Sequence, residues 1–146
     1  MVLDTGKNVP RAKVENRFAV SHYIEQVCAI GDERKYVTAI IVPKFDVIIK
    51  ILAERRIQFD ERQMVKLDGV TVKIGIDFTT HPEVRKLIDL DIKDANEELE
   101  GYEAIKSYHI CNRFFSPDLD EVTPTLKIKF RNVIKNYARE IDAIYE

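Results

Sequence analysis

Cysteine, histidine and glycine are scarce in this sequence, and each shortage closes off a chemistry. There are 2 cysteines. Cys28 and Cys111 both lie in apolar, strand-like runs with no metal-ligand spacing, and they read as reduced core thiols of a cytoplasmic protein. The 3 histidines, His22, His81 and His109, are scattered, so neither a metal set nor a catalytic triad emerges. With 5 glycines in all, no glycine-rich phosphate cradle forms, because Gly6 stands alone and no GxxxxGK[ST] follows. No apolar run reaches membrane-spanning length and no signal peptide precedes the fold. A net charge of -2 provides no basic field to recruit nucleic acid, and the strand aromatics are not interleaved with cations. Repeats and low-complexity segments are absent as well.

What is present is a globular composition, 45% hydrophobic and 33% charged over 146 residues, enough for one domain with a real core. Pro10 suits the first turn of a helix, with Val14, Phe18 and Ala19 as its apolar stripe. Tyr23–Ile30 and Tyr36–Val42 are apolar runs across the turn Gly31–Lys35, which predicts an antiparallel hairpin partly buried on both faces. Pro43 ends the second strand, and Asp46 is placed to cap a helix over Val47–Arg56. Val65–Leu67 and Val70–Ile74 alternate around Asp68-Gly69, a tight-hairpin signature. Thr80-His81-Pro82-Glu83 reads as a capping box, opening a helix to about residue 101 on the stripe Val84, Leu87, Ile88, Ile92, Ala95 and Leu99. Asp89, Asp91, Asp94, Glu97 and Glu98 read as its solvated face. Ile105–Cys111 is a third strand, followed by an acidic loop over Asp118–Glu121. Val133, Ile134, Tyr137, Ile141, Ile144 and Tyr145 mark a terminal amphipathic helix. The fold class is α+β, a small, mainly antiparallel sheet packed by helices.

The densest local signal is Thr123-Pro124-Thr125-Leu126-Lys127-Ile128-Lys129-Phe130-Arg131. Read as extended chain, it points Leu126, Ile128 and Phe130 one way and Lys127 and Lys129 the other. That geometry suits a loop delivering a cation outward, but the residues alone favour a solvated basic edge strand whose lysines block unwanted pairing.

These blocks, in order, resemble a known family. Gly6-Lys7-Asn8-Val9 with Val14-Glu15 is similar to the GKNV-x-P-x-x-IE loop of AMP-forming acyl-CoA synthetases. Tyr23–Val27, Ile30–Tyr36 and Ala39–Pro43 resemble that family's IGD-x-RKY block, and Thr123–Lys129 its LTPTLKLKR signature. The match points to the carboxy-terminal lid domain of long-chain fatty-acid–CoA ligases, in the adenylate-forming superfamily. The resemblance implies that residues 1–146 are one lid domain excised from a two-domain enzyme, inactive alone. Its partner would be a large amino-terminal domain binding ATP and fatty acid. It implies that Lys127 is the catalytic lysine that reaches into the adenylation site. Gly6, Lys7 and Asn8 are expected to help line the pantetheine channel, and Arg34, Lys35 and Lys129 are further candidates for substrate or CoA binding. ATP, Mg2+ and CoA belong to the full-length enzyme, none bound by this part alone, and the setting is cytoplasmic or peripheral to a membrane. A lid of an acyl-AMP ligase and a non-enzymatic partner-binding α+β module are the alternative readings. Two positions depart from the family pattern: Arg11 stands where proline is usual, and Phe130 replaces a common arginine. The large domain's phosphate loop and the Asp or Lys hinge before the lid are absent.

Overall fold

A computed structural model describes residues 1–146. The chain opens with α1 (Arg11–Glu15), continued by a 3-10 turn over Asn16–Phe18. A hairpin of β1 (Ile24–Ile30) and β2 (Val37–Pro43) follows, then α2 (Phe45–Glu54). A second hairpin pairs β3 (Val65–Leu67) with β4 (Val70–Lys73). After it come α3 (Ile76–Thr79), α4 (Pro82–Asn96), β5 (Ile105–Ile110), α5 (Phe130–Asn136) and α6 (Ala138–Ile144).

The sheet order is β1-β2-β5. All residues of β2 are buried, as its valine and isoleucine run requires of a central strand. β1 pairs with it antiparallel, Cys28 opposite Ile40 and Ala29 opposite Ala39. β5 lies parallel on the other side, His109 opposite Ile40, because α2 to α4 provide the long crossover that a parallel neighbour needs. The structure is thus α+β with a mainly antiparallel set of strands and one parallel pair. A core of 32 buried residues spans both faces of this sheet. In the second hairpin Asp68 and Gly69 both have positive φ, 51° and 81°, as a two-residue turn of the type matching strand twist demands.

Side chains close both sheet edges. At β1, Arg11 donates to the Ala29 carbonyl while Glu15 accepts from the Ala29 N–H at 2.9 Å. At β5, Asn96 donates to the Ile105 carbonyl at 2.9 Å and accepts from its N–H at 2.8 Å.

Several local expectations are corrected by long-range partners. Asp46 does not cap α2, which starts at Phe45; its carboxylate accepts the Thr71 hydroxyl at 2.6 Å and the Thr71 N–H at 3.0 Å, fastening the second hairpin. The cap of α4 is His81, whose Nδ1 accepts from the Glu83 N–H at 3.1 Å, whereas Thr80 donates its hydroxyl to the Ile76 carbonyl. α4 stops at Asn96, whose side chain pairs with both backbone groups of Ile105 in β5. Asp91 is buried, accepting from the Ser21 hydroxyl and from the Tyr23 N–H, and is not part of a solvated face. Ala19 is exposed. The terminal helix is two, broken at Tyr137, although Val133, Tyr137 and Ile141 still form one buried stripe.

Candidate functional site

Thr123–Lys129 is a tight turn and not an extended strand. The Thr123 N–H donates to the Lys127 carbonyl at 2.9 Å, the Leu126 N–H to the Thr123 carbonyl at 2.8 Å, and the Lys127 N–H to the Thr123 hydroxyl at 3.0 Å. Val122 bridges Ile128 below. Pro124 takes a corner, where its fixed φ and missing donor cost nothing. Leu126 adopts φ 65°, a left-handed conformation uncommon for a bulky residue, and this breaks the expected alternation. Its side chain is thrown outward, 69% exposed. Lys127 next to it is exposed, and its ammonium takes part in no ion pair or hydrogen bond within the chain. Phe130 begins α5 and does not extend the strand.

The stem below the turn is held by residues that the sequence did not single out. Glu121, read as the last residue of an acidic loop, is completely buried. It accepts from both Arg113 nitrogens, at 2.7 and 3.0 Å, from the Ser116 N–H at 3.0 Å and from Asn136 at 3.0 Å. Burial pushes its carboxyl up, but the hydrogen bonds from Arg113, Asn136 and Ser116 outweigh that and hold it below the ordinary range. Asp120 binds the Lys129 ammonium and accepts from the Asn132 side-chain amide at both its carbonyl and its carboxylate, so Lys129 is neutralised within the loop. The only hint in the sequence was that the acid run ends against apolar Val122.

The second cluster lies at the other end of β1. Gly6, at φ 89° with open space around it, turns a small hairpin in which Val2 bridges Asn8. This hairpin rests on the β1–β2 turn, with the Asp4 N–H donating to the Arg34 carbonyl at 2.9 Å and the Glu33 N–H to the Val2 carbonyl at 2.8 Å. Gly6, Lys7, Asn8, Arg34 and Lys35 are therefore brought together. Lys7 sits over the Tyr102 ring at 5.3 Å. Arg34 is committed to Asp142 at 3.0 Å and to the Tyr145 face at 4.8 Å, while Lys35 is exposed.

The two clusters are far apart. Ile24, Gln26 and Val27 at the start of β1 border a groove of about 300 Å³ shared with Leu126 and Ile128. Gly31, just past its end, packs against Leu3 of the Gly6 hairpin. At about 3.3 Å per residue, the strand separates them by about 20 Å. One contact ties their supporting helices: the Arg11 guanidinium lies 4.1 Å above the Phe130 ring, so the two positions that depart from the family pattern touch each other.

Cys28 and Cys111 are buried free thiols, each pushed up to about 12 by burial. His22 is exposed beside Tyr23, and His109, half-buried near Tyr137, is held below the usual imidazole value by burial. No grouping of three or more His, Cys, Asp or Glu side chains is arranged for a metal ion. No helix is long and apolar enough to cross a membrane.

No protein-family model matches the chain. Long-chain-fatty-acid–CoA ligase FadD15 of Mycobacterium tuberculosis is 29% identical over 140 residues, which is 96% of this chain and 21% of that protein. Fatty acyl-CoA synthetase B of Dictyostelium discoideum is 28% identical over 145 residues, 98% of this chain and 20% of that protein. The chain therefore spans about a fifth of the length of the curated relatives it matches. Among solved structures, the adenylation domain of a carboxylate reductase from Mycobacterium chelonae superposes with a TM-score of 0.72 at 18% identity, over 99% of this chain and 19% of that one. That likeness establishes the shared fold. With the sequence relatives spanning nearly every residue, the chain is homologous to the carboxy-terminal part of AMP-forming fatty acyl-CoA ligases.

Proposed function

We propose that this chain is the mobile lid of an ATP-dependent, AMP-forming long-chain fatty-acid–CoA ligase, that Lys127 serves its adenylation step and that the Gly6–Arg34 end serves its thioester step. The observation that carries this reading is the segregation of the two clusters to opposite ends of β1, with an uncommitted lysine at one end and a glycine hairpin at the other. A body so built can present one end or the other to a large amino-terminal partner domain by turning, without refolding.

In the first step the fatty-acid carboxylate attacks the α-phosphorus of ATP, giving acyl-adenylate and pyrophosphate. Charge builds on the transferring phosphoryl and leaving oxygens, and the Lys127 cation, carried at the tip of its turn, offsets it. In the second step the CoA thiol, giving up its proton, attacks the acyl carbon and AMP leaves. Gly6 permits close backbone approach to the pantetheine arm, since nothing lies within 4 Å of where a Cβ would stand. Lys7 and Lys35 are the cations at that end with no acidic partner, and they suit CoA phosphates better than Arg34 does. ATP, Mg2+ and CoA are substrates and cofactor of the whole enzyme; this chain alone is expected to ligate nothing.

The test is pyrophosphate release from ATP and a panel of fatty acids by the full-length enzyme and its Lys127→Ala variant. The variant is expected to lose roughly 10²–10³ in rate, while thioester formation from supplied acyl-adenylate survives. Equal losses in both half-reactions would refute the role of Lys127. Adenylate without thioester would identify an acyl-AMP ligase, and no pyrophosphate with any acid would point to a binding module.

A further inference from the structure

We infer that Glu121 is a positioning residue for Lys127, an inference that rests on the role of Lys127 proposed above. The tip of the turn has little holding it. Pro124, Thr125, Leu126 and Lys127 are all exposed, and the hydrogen bonds within the turn run back to Thr123. Where the ammonium goes is therefore set by the stem, and the stem is set at position 121.

Glu121 links the segments that frame the turn. Its carboxylate grips Arg113, which follows β5, and Asn136, at the end of α5, along with the Ser116 N–H of the intervening loop. Its main chain closes the other two connections: the Glu121 N–H donates to the Ser116 carbonyl at 3.0 Å, and its carbonyl accepts from the Lys129 N–H at 2.8 Å. One buried residue thus fixes both strands of the stem to the sheet and to the terminal helix. A fork-to-fork guanidinium pair fixes direction as well as distance, which a single hydrogen bond does not. The left-handed Leu126 adds weight, since a strained residue keeps its conformation only where the flanking structure enforces it.

Glu121→Gln keeps the side chain's shape and removes one acceptor. Arg113 loses its second partner and Asn136 meets a donor in place of an acceptor. Arg113 lines a polar cavity of about 410 Å³ and its side chain is 24% exposed, so water can solvate the released guanidinium and the fold is expected to survive.

The experiment uses the full-length enzyme as wild type, Glu121→Gln, Lys127→Ala and the double variant, with both half-reactions followed. Glu121→Gln is expected to cut kcat for pyrophosphate release about 10–100-fold, the scale of an ångström-sized misplacement. KM for ATP and for fatty acid, and thioester formation from supplied acyl-adenylate, stay within about twofold. In the Lys127→Ala background the same change adds less than about twofold, since a residue acting through the lysine has nothing left to position. Asn136→Ala, which leaves no buried charge unpaired, follows the same pattern with a loss of about 3–10-fold, and it decides the matter should Glu121→Gln melt below the assay temperature. A purely structural role would lower both half-reactions together and multiply the Lys127→Ala loss, and that result overturns the inference. If Lys127→Ala silences adenylation while Glu121→Gln and Asn136→Ala match wild type, the positioning role alone fails. If Lys127→Ala leaves adenylation intact, the lysine's role fails first and takes the positioning role with it.

Discussion

Asp91→Ala is a sharp test of how burial changes the meaning of an acidic residue on α4. Asp91 is 6% exposed and accepts from the Tyr23 N–H at 2.7 Å and from the Ser21 hydroxyl, which itself accepts from the Ile24 N–H at 3.1 Å. The carboxylate thereby fixes the path by which the chain enters β1. Alanine removes two hydrogen bonds to a charged acceptor, each worth about 1.5–3 kcal/mol, and strands the Tyr23 N–H. Ser21 is half-exposed and can turn to water, and the native state no longer holds a buried charge, so the net loss falls to about 2–3 kcal/mol. With an unfolding entropy of about 2.1 cal/mol/K per residue, a chain of 146 residues then melts about 7–10 °C lower. Asp94, one turn along, is exposed; its alanine variant should lie within about 0.5 kcal/mol of wild type, or about 2 °C. Calorimetry of both variants at pH 7 decides the matter. Equal shifts, or an Asp91→Ala midpoint within about 2 °C of wild type, would refute the argument from burial.

Two further outcomes are expected beside those given for Lys127 and Glu121. Cys28 and Cys111, buried and pushed up to about 12, should resist a thiol-disulfide reagent in the native chain at pH 8 and react fully in denaturant; rapid native labelling would contradict their burial. Burial holds His109 below its usual 6.5, so the unfolded chain binds the proton first as pH falls. Its contribution is fully present above about pH 7 and is lost on acidification through the range below 6.5, so His109→Gln should narrow the gap between melting temperatures at pH 7.5 and 5.5. An unchanged gap would remove His109 as a source of the slope.

Elements built from local pattern were legible in the residues. The β1–β2 hairpin follows from β-branched runs around Gly31, the β3–β4 turn from Asp68-Gly69, and α4 from a stripe that is buried from Val84 to Ala95. What failed was the assignment of polar side chains, because their partners lie far along the chain. Asp46 and Thr80 stand where caps stand, yet Thr71 captures one and the Ile76 carbonyl the other. Arg34 and Lys129, candidates for substrate or CoA binding, are met by Asp142 and Asp120. Glu121 has the composition of its solvated neighbours; only the approach of Arg113 and Asn136 makes it an anchor. The family signature offered Lys127 as a candidate, but alternation misjudged its backbone, since a left-handed leucine carries no mark in sequence.

The side chains on the sheet's margins have a consequence for the company this chain keeps. Unpaired strand edges are templates on which a second copy can add and continue into an aggregate. Here the Arg11–Glu15 pair occupies both backbone groups of Ala29, and Asn96 does the same at Ile105, so each margin carries a plug where a newcomer's ladder would have to pass. A three-stranded sheet stoppered on both sides is closed to growth. Losing α1 would uncork β1 and leave the backbone of Ala29 open to a strand from a second copy.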